Sequence, residues 1–265
     1  MNIVVFIKQV PDTTDVKWTE NNNIDRARMD SILNPVDKSA IEAALFFKDN
    51  FGANITAITM GPEKAVEVLQ EALAMGVDNA VLLSDSKFVG SDTCATSRVL
   101  AAVIKEKYSN VDVILFGQSA IDGETSQTGP STAARLNFPY VTQVNSIMEC
   151  LNKQLIVSSD TELLQSTIKI TLPCVLCINN YVTEPRLPKI SGYIKSQYSE
   201  IVRYNHSDIA ISETDSGIKG SPTWVSKVFK NSGGRMCCFV DDSCLNVVVD
   251  SIKEAINKWY LCIQN

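Results

Sequence analysis

The sequence holds a single histidine, His206, in the polar stretch RYNHSD. One solvated imidazole leaves nothing from which to build a histidine relay or a multi-histidine metal site, and no side chain is assigned as catalytic; chemistry has to come largely from a cofactor. Long apolar runs are also missing. None approaches the roughly twenty residues of a membrane-spanning helix, so no membrane insertion is expected. The N-terminus MNIVVFIKQV opens on strand-like residues with neither a basic leader nor a cleavage site, which points to a cytoplasmic protein. Charge of one sign is nowhere concentrated. With 24 basic against 30 acidic residues the formal net charge is −6, which argues against nucleic acid as a partner. The eight cysteines lack the pattern of a metal or cluster site. Cys174 and Cys177 are spaced as CxxC, but in strand-like LPCVLCINN residues three apart point to opposite faces, and Cys237, Cys238 and Cys244 have no second CxxC to complete a set. Most read as small buried hydrophobes, and no metal is expected.

What the sequence does have is alternation. NIVVFI, NITAITM, NAVLLS and VDVILF are short apolar, β-branched runs, as expected of strands buried on both faces. Helical patterns separate them. Asn34-Pro35-Val36-Asp37 reads as an N-cap, a proline at the first helical position and an acid in the first turn, with Ile41, Ala44 and Leu45 at helical spacing. Glu63 to Met75 closes on Gly76, and Asp92 to Glu106 forms a third helix. This predicts an α/β fold over residues 1 to about 138: an open, mostly parallel sheet with right-handed crossovers and helices on both faces, Rossmann-like. Segments near 141–150, 153–159, 165–171 and 174–179 are joined by short polar links and read as an antiparallel extension. YVTEPRLPKISGYIKSQ reads as an exposed loop. From Ser199 the chain turns polar, and it closes on an amphipathic helix near Ser243 to Leu261 with Val248, Ile252, Ile256 and Trp259 on one face. The expected division is a nucleotide-binding domain over 1–198 and a C-terminal arm and helix over 199–265.

One stretch between strand and helix asks for a ligand. GQSAIDGETSQTGPSTAARL, residues 117–136, follows the apolar run ending at Phe116 and is rich in glycine and hydroxyl side chains. It has no lysine, so it is not a Walker P-loop. In an open parallel sheet, ligands bind beyond the carboxyl ends of strands near a switch in strand order, and the loops after Ile7, Met60 and Phe116 all leave such ends. The third offers backbone N–H groups at a helix start plus hydroxyls at Thr125, Ser126, Thr128, Ser131 and Thr132, with Gly123 and Gly129 allowing close approach. From the residues alone the loop reads equally as a phosphate cradle or as a solvated helix start in which Asp122 and Glu124 favour the first turn.

Taken together, VVFIKQVPDT, LNPVDKSAIEAAL, ITMGPEKAVEVLQEALAMGVDNAVLL and QSAIDGETSQTGPSTAARL closely resemble the beta subunit of electron-transfer flavoproteins. TEPRLPKISGY resembles that family's recognition loop, and GIKGSPTWVSKVF a late segment of its bacterial electron-bifurcating members. The resemblance implies that the fold is adenine-nucleotide-binding and that the chain forms a heterodimer with an alpha subunit. Non-bifurcating relatives hold AMP in the beta subunit; bifurcating ones place an FAD there, which NADH reduces. The electrons then divide between ferredoxin or flavodoxin and a flavin-dependent dehydrogenase, of the acyl-CoA or 2-hydroxy acid type. The D-G-x-T-x-Q-x-G-P form of the loop looks like the bifurcating type. Carried over by position, the cofactor contacts would be Phe6 and Lys8 after the first strand, Asn34 and Asp37 at the first helix, and Met60 and Gly61 after the second strand. The loop would add Asp122, Gly123, Thr125, Gln127, Thr128, Gly129 and Thr132. Glu184, Pro185, Arg186 and Leu187 would meet the dehydrogenase, with Arg186 alternatively a flavin-tuning or merely solvated residue. Trp259 and Tyr260 would anchor the last helix on the alpha subunit, unless that helix packs back on its own sheet. The sequence departs from the family at Gly117, where a basic residue usually precedes the loop's glutamine. A non-bifurcating AMP-holding scaffold and a free-standing nucleotide sensor are the other functional readings.

Overall fold

Alternating residues of the first strand enter opposite cores. In β1 (Asn2–Phe6), Ile3 and Val5 face one hydrophobic cluster while Val4 and Phe6 face the other. The same split runs through β6 (Val113–Gly117), with Val113 and Leu115 on one side and Ile114 and Phe116 on the other. Strands apolar at every position need cover on both faces, and helices supply it. The computed structural model describes residues 1–12, 30–161, 163–179, 184–224 and 245–263. Helices α1 (Pro35–Phe51) and α2 (Val66–Met75) pack into the first cluster, and α3 (Thr93–Lys107) and α4 (Thr128–Leu136) into the second.

The remaining strands are β2 (Gln9–Pro11), β3 (Ser31–Leu33), β4 (Asn54–Met60), β5 (Asn79–Leu83), β7 (Tyr140–Leu151), β8 (Gln154–Asp160), β9 (Gln165–Thr171), β10 (Cys174–Ile178) and β11 (Ile201–Tyr204). Nine form one sheet in the order β11-β5-β4-β1-β6-β10-β7-β8-β9, and β2 and β3 pair antiparallel in a small second sheet. Successive crossovers from β1 lead one way, to β4 and β5, while the chain after β6 leads the other way. The order therefore switches between β1 and β6, which pair directly in parallel.

Three expectations change. Residues 174–179 do not belong to the antiparallel extension: β10 lies parallel to both β6 and β7, inside the sheet. The link from β9 is short, yet the β8–β9 hairpin returns the chain to the start of β6, where an apolar strand buried on both faces satisfies more backbone and side chain than an outer edge would. Cys174 and Cys177 do face opposite cores, as the strand period requires. Of the exposed loop read over YVTEPRLPKISGYIKSQ, residues 181–183 lie outside the described residues and 184–189 are coil, but Ile190–Tyr198 is a helix, α5, lying on α2. Gly192 permits this: a Cβ there would sit 2.4 Å from the carbonyl oxygen of Ala74. Finally, the polar stretch after Ser199 begins with β11, an edge strand parallel to β5. The compact units are Met1–Val228 and Phe229–Asn265, so β11, the short helix α6 (Gly217–Gly220) and their turns lie with the sheet, beyond the expected 198/199 boundary. The second unit contains α7 (Leu245–Ile263), whose Val247, Val249, Ile252 and Ile256 are exposed. The side chains of Trp259 and Tyr260, and residues Cys237, Cys238 and Cys244, lie outside the described residues. No helix among the described residues is long and apolar enough to cross a membrane.

Candidate functional site

Because β4, β1 and β6 are neighbours, the loops after Met60, Ile7 and Phe116 leave the sheet side by side. The loop after β6 carries the site. Glu124 and Ser126 have φ of 48° and 53°, left-handed values that non-glycine residues adopt at a cost of about 1–3 kcal/mol each. The sign of φ thus alternates through 124–126, a geometry that turns successive N–H groups to one side. Gln127 is the N-cap of α4 but makes no side-chain capping bond. Among the described residues, none accepts a hydrogen bond from the backbone N–H groups of residues 125–129. These donors are the free groups of a helix start, joined by the turn before it, and they form a ready seat for an anion.

The loop is held from below. Asn34 is fully buried and does not cap α1; its Nδ2 donates to the Ser119 carbonyl at 2.9 Å and its Oδ1 accepts from the Ile121 N–H at 3.4 Å. A residue typical of a helix cap here ties the loop to α1 instead. Asp37, also buried, accepts the Lys8 N–H at 2.8 Å. Burial pushes its carboxyl up to about 7, against the opposing pull of hydrogen bonds from Lys8, Asn34 and Gly117. Across the top, the Lys8 ammonium grips both oxygens of Asp122 at 2.8 and 2.7 Å, joining the loops after β1 and β6. This pair offsets an acid that would otherwise repel a phosphate.

The expected residues divide into groups. Lys8, Asn34, Asp37 and Asp122 are linked as described, and Gly123, Thr125 and Gln127 are exposed on the loop, with Gly123 in open space. The Gln127 amide oxygen accepts from the Thr93 hydroxyl at 3.4 Å. Phe6 turns inward and stacks on Phe116, ring centroids 4.9 Å apart, so only its backbone stands at the strand end. Met60 packs partly against the same core, and the Gly61 N–H is spent on the Leu83 carbonyl. Gly129 is buried for a different reason than ligand approach: a Cβ would meet the Cys177 sulfur at 2.5 Å, so the glycine seats α4 on the sheet. Thr132 is fully buried and its hydroxyl donates to the Thr128 carbonyl at 2.7 Å, leaving it no exposed donor. Thr128 therefore contributes its N–H to the seat and its carbonyl to the helix. Gly117 cannot stand for a basic residue, since a Cβ there would lie 2.3 Å from Asp37 Oδ1 and 2.9 Å from the Val36 carbonyl carbon.

Sequence reasoning missed Gln118, whose amide oxygen accepts the Gln143 N–H at 2.7 Å where β7 passes through a left-handed residue. It also missed Glu42 and Asp49, both on α1, which take up Arg186. Neither pairing has a local sequence signal, because the partners are far apart in the chain. Glu184 and Leu187 are exposed, and Pro185 and Arg186 partly so. Among the described residues, no group of three or more His, Cys, Asp or Glu side chains could hold a metal ion.

Residues 22–208 match the electron transfer flavoprotein domain. The chain is 40% identical over 266 aligned residues to the caffeyl-CoA reductase-Etf complex subunit CarD of Acetobacterium woodii, covering 98% of this chain and all of that protein. It is 38% identical to the electron transfer flavoprotein subunit beta of Megasphaera elsdenii, over 97% of this chain and 98% of the other. To the acryloyl-CoA reductase electron transfer subunit gamma of Anaerotignum propionicum it is 39% identical, over 86% of this chain and 88% of that one.

Proposed function

The chain belongs to the electron transfer flavoprotein family as a beta-type subunit, and from that membership we propose that it binds FAD at the β1/β6 switch point in a cytoplasmic heterodimer with an alpha subunit. NADH is the electron donor, and the electrons divide between ferredoxin or flavodoxin and a flavin-dependent dehydrogenase. Relatives named as subunits of caffeyl-CoA and acryloyl-CoA reductase complexes support an acyl-CoA-type partner.

The observation that carries this reading is the row of N–H groups over 125–129, at the strand-order switch, from which none of the described residues accepts a hydrogen bond. They fit the phosphates of a nucleotide: neutral donors at a helix start hold a dianion without a lysine in the loop. Bound there, the flavin supplies the ring that accepts and passes electrons. The chain does the rest. Lys8 neutralises Asp122 at the edge of the seat, Asn34 fixes the loop's height over α1, and Asp37 ties the ends of β1 and β6 to the same helix.

The test is to purify the chain with its alpha subunit and identify the released nucleotides by chromatography. Two FAD per heterodimer is the expected result. One FAD with one AMP would replace the bifurcating reading by a scaffold that shapes its partner's contacts, and a stable monomer without nucleotide would overturn both.

A further inference from the structure

Large apolar side chains face solvent on the coil 184–189 and on the helix it leads into: Leu187 of the coil is 87% exposed, and Ile190 and Tyr198, the first and last residues of α5, are 83% and 87% exposed. A six-residue coil with a leucine so exposed would ordinarily collapse or wander. Here it is fastened. The Arg186 backbone N–H donates to Glu42 Oε2 at 3.0 Å, its Nε lies 3.0 Å from both Glu42 oxygens, and its Nη2 reaches Glu42 Oε1 and Asp49 Oδ2 at 2.7 Å each. This differs from an ordinary surface ion pair. The Glu42 side chain is only 12% exposed, the fork is bidentate, and main chain as well as side chain is held. One helical segment on, Gly192 and the buried Ser196 seat α5 on α2.

We propose that Arg186 is a positioning residue for partner docking: clasped by Glu42 and Asp49, it fixes the segment on α1 so that Leu187 and Ile190 are presented in a preformed arrangement. The inference rests on the reading of 184–187 as the dehydrogenase-facing surface. Its consequence is geometric. Asn34 and Asp37 hold the nucleotide loop at one end of α1, and Glu42 and Asp49 hold the docking segment further along the same helix, so one rigid element sets the distance between cofactor seat and partner. Ordering the segment before docking removes an entropic cost that binding would otherwise meet.

The test uses the full chain in its heterodimer, with the dehydrogenase that copurifies with it. Variants Arg186→Ala, Arg186→Lys and Leu187→Glu are compared for amide hydrogen exchange and for electron delivery to that dehydrogenase. Arg186→Ala is expected to speed exchange over 186–190 and to raise the KM for dehydrogenase about tenfold, with kcat at saturation and nucleotide content unchanged. Lysine keeps the charge but not the fork, so Arg186→Lys falls between. Unchanged exchange and KM in Arg186→Ala overturn the clasp. If exchange quickens but neither Arg186→Ala nor Leu187→Glu moves the KM, the clasp orders the segment but the docking role fails with the reading beneath it.

Discussion

The parallel strands β5, β4, β1, β6 and β10 and the extension of β7, β8 and β9, in which β7 lies parallel to β10 but antiparallel to β8, share one sheet but bury their side chains differently. Every residue of β10 is buried, and β1 and β6 are buried at all but one position. In β8 buried residues alternate with partly exposed ones, and in β9 only Ile170 is buried. The parallel strands have helices on both faces; the extension is covered on one, and Met148 and Leu151 stand 56% and 63% exposed. Rigidity and openness are thus separated. The doubly covered part carries the proposed nucleotide seat at its strand ends, while the singly covered part leaves apolar side chains exposed.

The largest effect should come from breaking the doubly covered part where it meets the seat. A methyl group at position 117 would overlap Asp37 and the backbone of Val36, neither of which is the free end of a flexible side chain. Gly117→Ala should cost about 3 kcal/mol of stability by chemical denaturation, at the upper end for overpacking, and should abolish nucleotide retention. Gly123, in open space on the same loop, is the control: Gly123→Ala should lie within about 0.5 kcal/mol of the parent. Equal costs for the two would show that the strand end is no more tightly packed than the loop.

A smaller effect follows from Asp37. Its folded pKa of about 7 lies above the ordinary 3.8, so the folded state holds a proton that the unfolded state has released. Stability from this group is therefore full below about pH 4 and declines as pH rises through 7, by at most about 1.4 kcal/mol per unit in that window. Asp85, Asp92 and Glu213 run the other way: hydrogen bonds hold Asp85, Asp92 and Glu213 below their usual range, and their contributions are lost only in more acid solution. Melting temperatures between pH 5 and 8 should thus fall with rising pH in the parent and flatten in Asp37→Asn. A parent profile that stays flat would mean that Asp37 remains ionised throughout.

The same division explains what the sequence disclosed. Runs such as VVF and VILF carry their own evidence, because a strand apolar at every position can only be buried on both faces. The loop after Phe116 was legible from its glycines and hydroxyls and from its place after a strand. Strand order was not, because β10 is joined to β9 by a short link and local spacing cannot say that the chain returns to pair with β6. Asn34 shows the limit at a single residue. Before a proline it reads as a helix cap, and only the fold brings Ser119 and Ile121 to its amide. The hydroxyl of Thr132 is a second case, since helix geometry turns it to the carbonyl one turn back.

The smallest effect is expected on the open face. Replacing Met148 and Leu151 by serine removes apolar surface that is already mostly in water, so the isolated chain should change by no more than about 0.5 kcal/mol. In the proposed heterodimer the outcome depends on what covers the extension. If the alpha subunit lies there, those side chains become desolvated and the double variant should weaken association about tenfold, read by titration of one subunit into the other. An unchanged affinity would place the subunit contact elsewhere, with the exposed face of α7 as the next surface to substitute, beginning at Ile252 and Ile256. A marked loss of stability in the isolated chain would instead show that the extension buries these residues in solution, and that the contrast between the two parts of the sheet is weaker than their exposures indicate.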